Sequence, residues 1–333
     1  MDGESRTRLA ELLGATRILS SRAFEFGDAG PQCARSHLTE YPYERGDDAL
    51  VASLADVLYE HSYCRDPRRR SAGRRRDDAT VTEALSAVNP TADGWDRGWT
   101  VEDGDEAGDL LVRKGDWTRL AREGDYAPAA PVEPGSTVDL RRPGEDADLQ
   151  PAFFHVFGAI LGDRYDDFVS VRVYFNCSAA AGPVLLREVA GALNRYRVPF
   201  SMKLLKRSEL YDRLDSCVLY VGRRHLAFVG ALLLDLVPRL PALDAATPLF
   251  TKAIVPGIAV ADSPPGGASF GGDRMRLVAH GIVDAWRGGS QSDADRLDAV
   301  GRRFEEAGLD PDRPWLAPGN ADLPITPAEL HAA

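Results

Sequence analysis

Phe168-Val-Ser-Val-Arg-Val-Tyr-Phe-Asn176 alternates along its whole length: Val169, Val171, Val173 and Phe175 point one way, and Phe168, Ser170, Arg172, Tyr174 and Asn176 point the other. A period of two predicts a β-strand with one face on a core and the other polar and aromatic. Gly182-Pro183 then opens a helix expected over Val184–Tyr196, with Leu185, Leu186, Val189 and Leu193 as its apolar stripe. Phe200-Ser-Met-Lys-Leu-Leu205 and Asp215-Ser-Cys-Val-Leu-Tyr-Val221 read as further strands, and Leu226 to Val237 as a buried helix stopped by Pro238. Strand, helix, strand, strand, helix is an α+β pattern.

Working outward from this segment, the chain of 333 residues is long enough for two packed units. Leu9, Leu12, Leu13, Ile18 and Leu19 predict an amphipathic helix from Ser5 to Leu19, and Leu50, Leu54, Val57 and Leu58 a second from Asp47 to His61. Seven arginines between Arg65 and Arg76, with Pro67 and Gly73 among them, read as a surface loop. It is either a solvated charge run or a contact for an acidic partner. From Trp95 to Leu140, short apolar runs broken by glycines predict small antiparallel strands. The polar stretch Arg141 to Asp148 places the boundary, giving units 1–147 and 148–333.

Hydrophobic residues at 44% and charged residues at 27% are the composition of a folding chain, not a disordered one. The net charge of −11 argues against non-specific nucleic-acid or anionic-membrane binding, so an anionic ligand requires a local basic site. Cys33, Cys64, Cys177 and Cys217 are too scattered for a zinc site or a disulfide framework. The longest apolar run, Leu226 to Leu234, is far short of the roughly 20 residues that span a bilayer. The N-terminus lacks the pattern of a signal peptide, and the expected location is the cytoplasm.

Between Val198 and Arg224 the basic residues Lys203, Lys206, Arg207, Arg213, Arg223 and Arg224 meet only Glu209, Asp212 and Asp215. This stretch is locally basic inside an acidic protein. Lys203 lies in a strand, where desolvation favours the neutral amine that can act as a base. It reads equally as an edge-strand lysine guarding against aggregation. Ser263-Pro-Pro-Gly-Gly-Ala-Ser-Phe-Gly-Gly-Asp-Arg-Met-Arg276 is a glycine-rich loop that delivers Arg274 and Arg276 at the start of a helix, either as a phosphate site or as an ordinary surface loop. The H-E-x-x-H, H-R-D and P-loop patterns are absent. The six histidines do not suggest a metal, and His155 reads first as a core residue.

Leu58-Tyr-Glu-His-Ser-Tyr-Cys-Arg65, Phe153-Phe-His-Val-Phe-Gly158, Val171-Arg-Val-Tyr-Phe-Asn176, Val198-Pro-Phe-Ser-Met-Lys203, Tyr211-Asp-Arg-Leu-Asp-Ser-Cys-Val-Leu-Tyr-Val221 and Ala268-Ser-Phe-Gly-Gly-Asp-Arg-Met-Arg276 together resemble the HopA-type effector family. The resemblance runs in order from about residue 50 to 290. It implies a phosphothreonine-lyase-like unit with a mainly antiparallel sheet flanked by helices. It further implies phosphoserine/phosphothreonine lyase chemistry on a precursor peptide, phosphorylated by a separate kinase, as in lanthipeptide or thioamitide biosynthesis. Lys203 then matches the general base, Tyr220 a tyrosine of the lyase site, and Arg213, Arg274 and Arg276 the phosphate clamp. Lys206 and Arg223 join the phosphate-binding set from the same basic stretch. Arg172 and Tyr174 fall where the lyases carry a Lys-x-His pair, so the general acid is Tyr174, His155 or another donor. β-Elimination by these groups needs no metal or organic cofactor. A non-catalytic phosphopeptide-binding subunit of the kinase, or an effector-like interaction protein, is the alternative.

Overall fold

A computed structural model describes residues 3–34, 49–66, 81–128, 132–163, 165–166 and 169–332. Phe168 and the arginines of the basic run beyond Arg65 lie outside the described residues. The chain opens with α1 (Gly3–Ala15) and a three-stranded sheet of β1 (Thr16–Ser20), β2 (Ala23–Phe26) and β3 (Pro31–Cys33). The expected helix through Leu19 therefore stops at Ala15. Thr16 turns its hydroxyl back to the Leu12 carbonyl (2.8 Å), and Thr16 and Ile18 alternate inward against exposed Arg17 and Leu19, a strand pattern. Next come α2 (Ala49–Leu58), which continues as a π-helical turn over Tyr59–Tyr63, and α3 (Thr82–Val88).

β4 (Gly94–Gly104), β5 (Leu110–Lys114), β6 (Trp117–Ala121), β7 (Tyr126–Ala127) and β8 (Thr137–Arg142) form a five-stranded antiparallel sheet in the order β6-β5-β4-β8-β7. Its own core is Trp99, Val101, Leu110, Val112, Tyr126 and Val138. The stretch Arg141 to Asp148 carries the chain from this sheet into β9 (Glu145–Gln150) of the largest one.

That sheet also holds β10 (Phe153–Phe157), β11 (Ser170–Phe175), β12 (Phe200–Leu205), β13 (Cys217–Gly222), β14 (Lys252–Val255) and β15 (Ile258–Asp262). Its order is β14-β15-β11-β13-β12-β10-β9, with every neighbouring pair antiparallel. The helices are α4 (Gly182–Arg195), α5 (Leu226–Leu236), α6 (Phe270–Arg287), α7 (Asp293–Glu306) and α8 (Pro327–Ala332). The fold is α+β, as the sequence pattern indicates.

Two cores lie on opposite faces of the large sheet. Val171, Val173, Phe175, Met202, Leu204 and Leu219 pack against α3, α4 and α5. On the other face Tyr174, Val218 and Ala261 pack against α1, α2, α6 and α7. The alternation in β11 thus places both of its faces in contact with helices, and the polar face is buried as well: Arg172 is 7% exposed and Tyr174 3%. A parallel-like double burial of an antiparallel strand is not visible in the alternation itself. The second helical layer covers β11, β13 and β15 but takes no core residue from β12, β10 or β9. Where that layer ends, polar side chains stand on the sheet, and the candidate site is there.

α6 is set by its cap. Ser269 accepts from the Gly272 N–H (3.4 Å), and Asp273 sits in the positive first turn. A Cβ at Gly271 would lie 2.3 Å from the Tyr63 ring, so this glycine lets the helix approach the π-turn closely. Gly271→Ala is expected to lower stability by roughly 1–3 kcal/mol through overpacking. Thermal unfolding checks it, and an unchanged midpoint would contradict this packing.

Candidate functional site

The site grows from cross-strand register. His155 of β10 faces Lys203 of β12, Lys203 faces Val218 of β13, and Val218 faces Tyr174 of β11. One step along, Ser201 faces Tyr220, and Tyr220 faces Arg172. These two rows lie on the same face. β12 is an interior strand between β13 and β10, which removes the edge-guard reading of Lys203.

Lys203 is half-buried, with its Nζ 4.3 Å from the Phe153 ring centroid and 5.7 Å from that of Tyr220. No carboxylate or hydrogen-bond acceptor of the described residues meets it. Arg172 places its guanidinium 5.4 Å from the same Tyr220 centroid. Its Nε donates to Ser263 Oγ (3.3 Å) and Nη2 to the Ala268 carbonyl (2.5 Å), and it too has no ion-pair partner among the described residues. Both cations are therefore held by rings and neutral acceptors around one tyrosine.

Arg213 stands nearby, 5.8 Å from the Phe153 centroid, but Asp215 holds it bidentately at 2.8 Å for both bonds. It enters the cluster as half of a neutral pair. Behind it are Tyr59 and Tyr63 of the π-turn, stacked at 5.5 Å. The Tyr59 hydroxyl accepts from Arg213 Nη2 at 3.4 Å. The Tyr63 hydroxyl is buried, close enough to Tyr174 for each to influence the other's ionisation, yet outside hydrogen-bond geometry with any described atom. Burial pushes the Tyr174 phenol well up against the pull of the Arg172 guanidinium, so it keeps its proton at all ordinary pH.

His155 is 9% exposed, with Nε2 3.3 Å from the Gln150 side-chain oxygen. Burial first, and then the Lys203 charge, lower its pKa below 6.5. It is neutral at pH 7 and so is not charged as a proton donor. A histidine depressed in the native state binds its proton more readily when unfolded, so stability falls as pH drops below about 6.5. His155→Gln should flatten this part of a denaturation-versus-pH profile. An identical slope in the variant would count against it.

Of the other expected clamp residues, Arg274 lies beside the cluster, over the Phe270 ring at 4.7 Å, but with its donors taken. Arg274 is 2% exposed; Nε donates to the Pro314 carbonyl (2.9 Å), Nη2 to that of Leu316 (3.2 Å), and Nη1 pairs with Asp273. It ties α6 to the 314–316 loop instead of presenting a free fork. Arg276 is half-buried on the same helix, about 200° further round. Arg223 is engaged by Asp262 (3.1 Å) and the Ala321 carbonyl, and Lys206 donates to the Ala147 carbonyl (2.6 Å). Apart from Asp273, which adjoins Arg274, these partners are distant in sequence, and the residue types gave no sign of them.

Gly267-Ala-Ser-Phe-Gly271 has the G-x-S-x-G spacing of a nucleophile elbow. Here Ser269 follows a loop, caps α6 and has no histidine hydrogen-bonded to it among the described residues, so no triad is assembled. No metal-binding group of His, Cys, Asp and Glu occurs among the described residues, nor a helix long and apolar enough to cross a membrane.

Sequence reasoning missed Phe153, Tyr59, Tyr63, Asp215 and Ser263. The available signal for the tyrosines was their i, i+4 spacing directly after α2, which places both on one helix side. For Asp215 it was the Arg213-x-Asp215 alternation.

Among solved structures, the chain is similar to an effector protein from Pseudomonas syringae pv. tomato strain DC3000, with 21% identity and a TM-score of 0.41 over 52% of this chain and 66% of that one. It is also similar to an effector protein from P. syringae pv. syringae strain 61, with 18% identity and a TM-score of 0.46 over 81% of this chain and 96% of that one. No curated protein matches it. The HopA1 effector protein family matches residues 145–316, the span that carries β9 to α7 and every residue of the cluster except the two π-turn tyrosines, and the chain belongs to that family.

Proposed function

We propose that the chain is a cytoplasmic phosphoserine/phosphothreonine lyase that eliminates phosphate from a precursor peptide phosphorylated by a separate kinase, leaving dehydroalanine or dehydrobutyrine as in lanthipeptide-type biosynthesis. One observation carries the reading: Lys203 and Arg172, both without an anionic partner among the described residues, lie within 6 Å of the Tyr220 ring centroid. Two like charges held this close, one of them buried, are relieved by an anion between them. A phosphate monoester supplies the charge and can accept from the Arg172 N–H groups that Ser263 and Ala268 leave over, those of Nη1 first.

In the reaction Lys203 Nζ acts as the base after giving up its own proton: the Cα–H proton passes to it, and the electron pair of that bond forms the Cα=Cβ bond. The Cβ–O bond breaks, and its electrons leave with the phosphate, held by Arg172. Tyr220 orients both side chains, and the Tyr174 phenol, which keeps its proton, stands where the lyases that the family resembles carry their general acid. Mass spectrometry of a phosphorylated peptide incubated with the protein tests this. Loss of phosphoric acid with formation of a thiol-reactive alkene is expected; a restored hydroxyl would mean hydrolysis instead. A phosphopeptide-binding subunit without turnover is the second reading, favoured by the burial of Tyr174, and it predicts phosphopeptide recovered intact.

A further inference from the structure

Beside the cluster the small and large sheets enclose a cleft of about 1090 Å³, and Ser170, Ser201 and Tyr220 belong to its lining. The cleft runs from the foot of the phosphate site past Phe157 to β9 and across to β6. β6 is the edge strand of its sheet, so its outer backbone groups have no ladder partner among the described residues. Two large apolar side chains of the lining are exposed, Leu120 (65%) and Leu161 (41%). An open strand edge with apolar footholds suits an extended polypeptide.

The charge of the lining selects among polypeptides. Asp146 and Asp148 are the acidic residues that β9 adds to the lining, with no ion-pair partner among the described residues, whereas the Glu145 carboxylate accepts from Ser86 (2.6 Å) and Asn89 (2.9 Å). Of the arginines that share the cleft, Arg141 pairs with Asp93 (2.9 Å) and Arg142 donates to the Gly158 carbonyl (2.9 Å); Arg119 lies over the Trp99 and Trp117 rings and keeps its charge. Deeper in, Asp166 is 6% exposed: its Oδ2 pairs with Arg224 (2.7 Å), and its Oδ1 accepts no hydrogen bond from the described residues.

We infer that this cleft is the channel for the peptide flanking the phosphorylated residue, and that it prefers flanks carrying lysine or arginine. The inference rests on the lyase reading for what occupies the cluster, and it adds a substrate class. The protein sorts its substrate by two opposite charges, a phosphate on the basic cluster and basic side chains along β9.

The test uses the full chain and synthetic phosphothreonine peptides of equal length with Lys/Arg, Ser/Ala or Asp/Glu flanks, plus a capped single phosphothreonine too short to reach β9. Binding is read by fluorescence anisotropy and elimination by mass spectrometry. Basic flanks should bind about 5-fold more tightly per charge contact than acidic ones, and the difference should shrink with added salt. Asp148→Lys, at an exposed position, should reduce or reverse the preference, and Leu120→Ser should weaken all long peptides while leaving the capped residue unaffected. Equal binding of all flanks, or a preference unaltered by Asp148→Lys, overturns the inference, even where the capped residue is eliminated and the lyase reading stands. Flank discrimination in binding without elimination of any peptide supports the cleft and sinks the lyase.

Discussion

Lys203→Ala is expected to slow elimination by about 100- to 10,000-fold, the range for removing a general base, with phosphopeptide affinity altered far less. The geometry explains the size of the effect. Lys203 is inserted between the Phe153 and Tyr220 rings on an interior strand, and no described acceptor or carboxylate fixes its proton. Lys203→Arg separates charge from basicity: arginine keeps the cation but does not give up its proton in a protein. Elimination should stay lost in this variant while binding is retained. Single-turnover kinetics on a phosphopeptide measures the first quantity and anisotropy the second. Full elimination in Lys203→Arg would remove Lys203 from the base role.

Arg172→Met is expected to weaken phosphopeptide binding by roughly 10- to 150-fold, the range for losing hydrogen bonds to a charged group, and to leave the weak binding of the unphosphorylated peptide unchanged. Arg172 is buried and bound only to Ser263, Ala268 and aromatic neighbours, so its charge has no other anion to serve among the described residues. Arg172→Lys keeps the charge and loses the fork, and should recover part of the affinity. Because Arg172 also ties the Ala268 loop to β11, thermal unfolding must accompany the titration. Equal affinity of wild type and a folded Arg172→Met for phosphopeptide would contradict the anion site.

The sequence made the large sheet legible because β11, β12 and β13 alternate or run apolar over five or more residues, and α4 and α5 carry clear stripes. It failed at Thr16–Ser20, where a helical spacing of leucines continues into a strand, since Ile18 and Leu19 satisfy both periods until the neighbour β2 is known. At the site, Lys203, Tyr220, Arg172, Tyr174 and His155 were all named and do share one sheet face. Which arginines are free was not legible. Arg213 is neutralised by a residue two positions away, but Arg223 and Arg274 are engaged by Asp262 and the 314–316 loop, contacts that only the folded chain creates. Phe153 and Ser263 were likewise invisible, because apolar or small residues acquire a role only through the cation packed against them.

Elimination as proposed breaks one bond that hydrolysis and simple binding leave intact, Cα–H. A peptide carrying α-deuterated phosphoserine, incubated with the full chain and weighed, should yield an alkene product that has lost the deuterium together with the phosphate, more slowly than the protiated peptide does. A product that keeps its α-deuterium and carries a serine hydroxyl, or a phosphopeptide recovered intact, would contradict it.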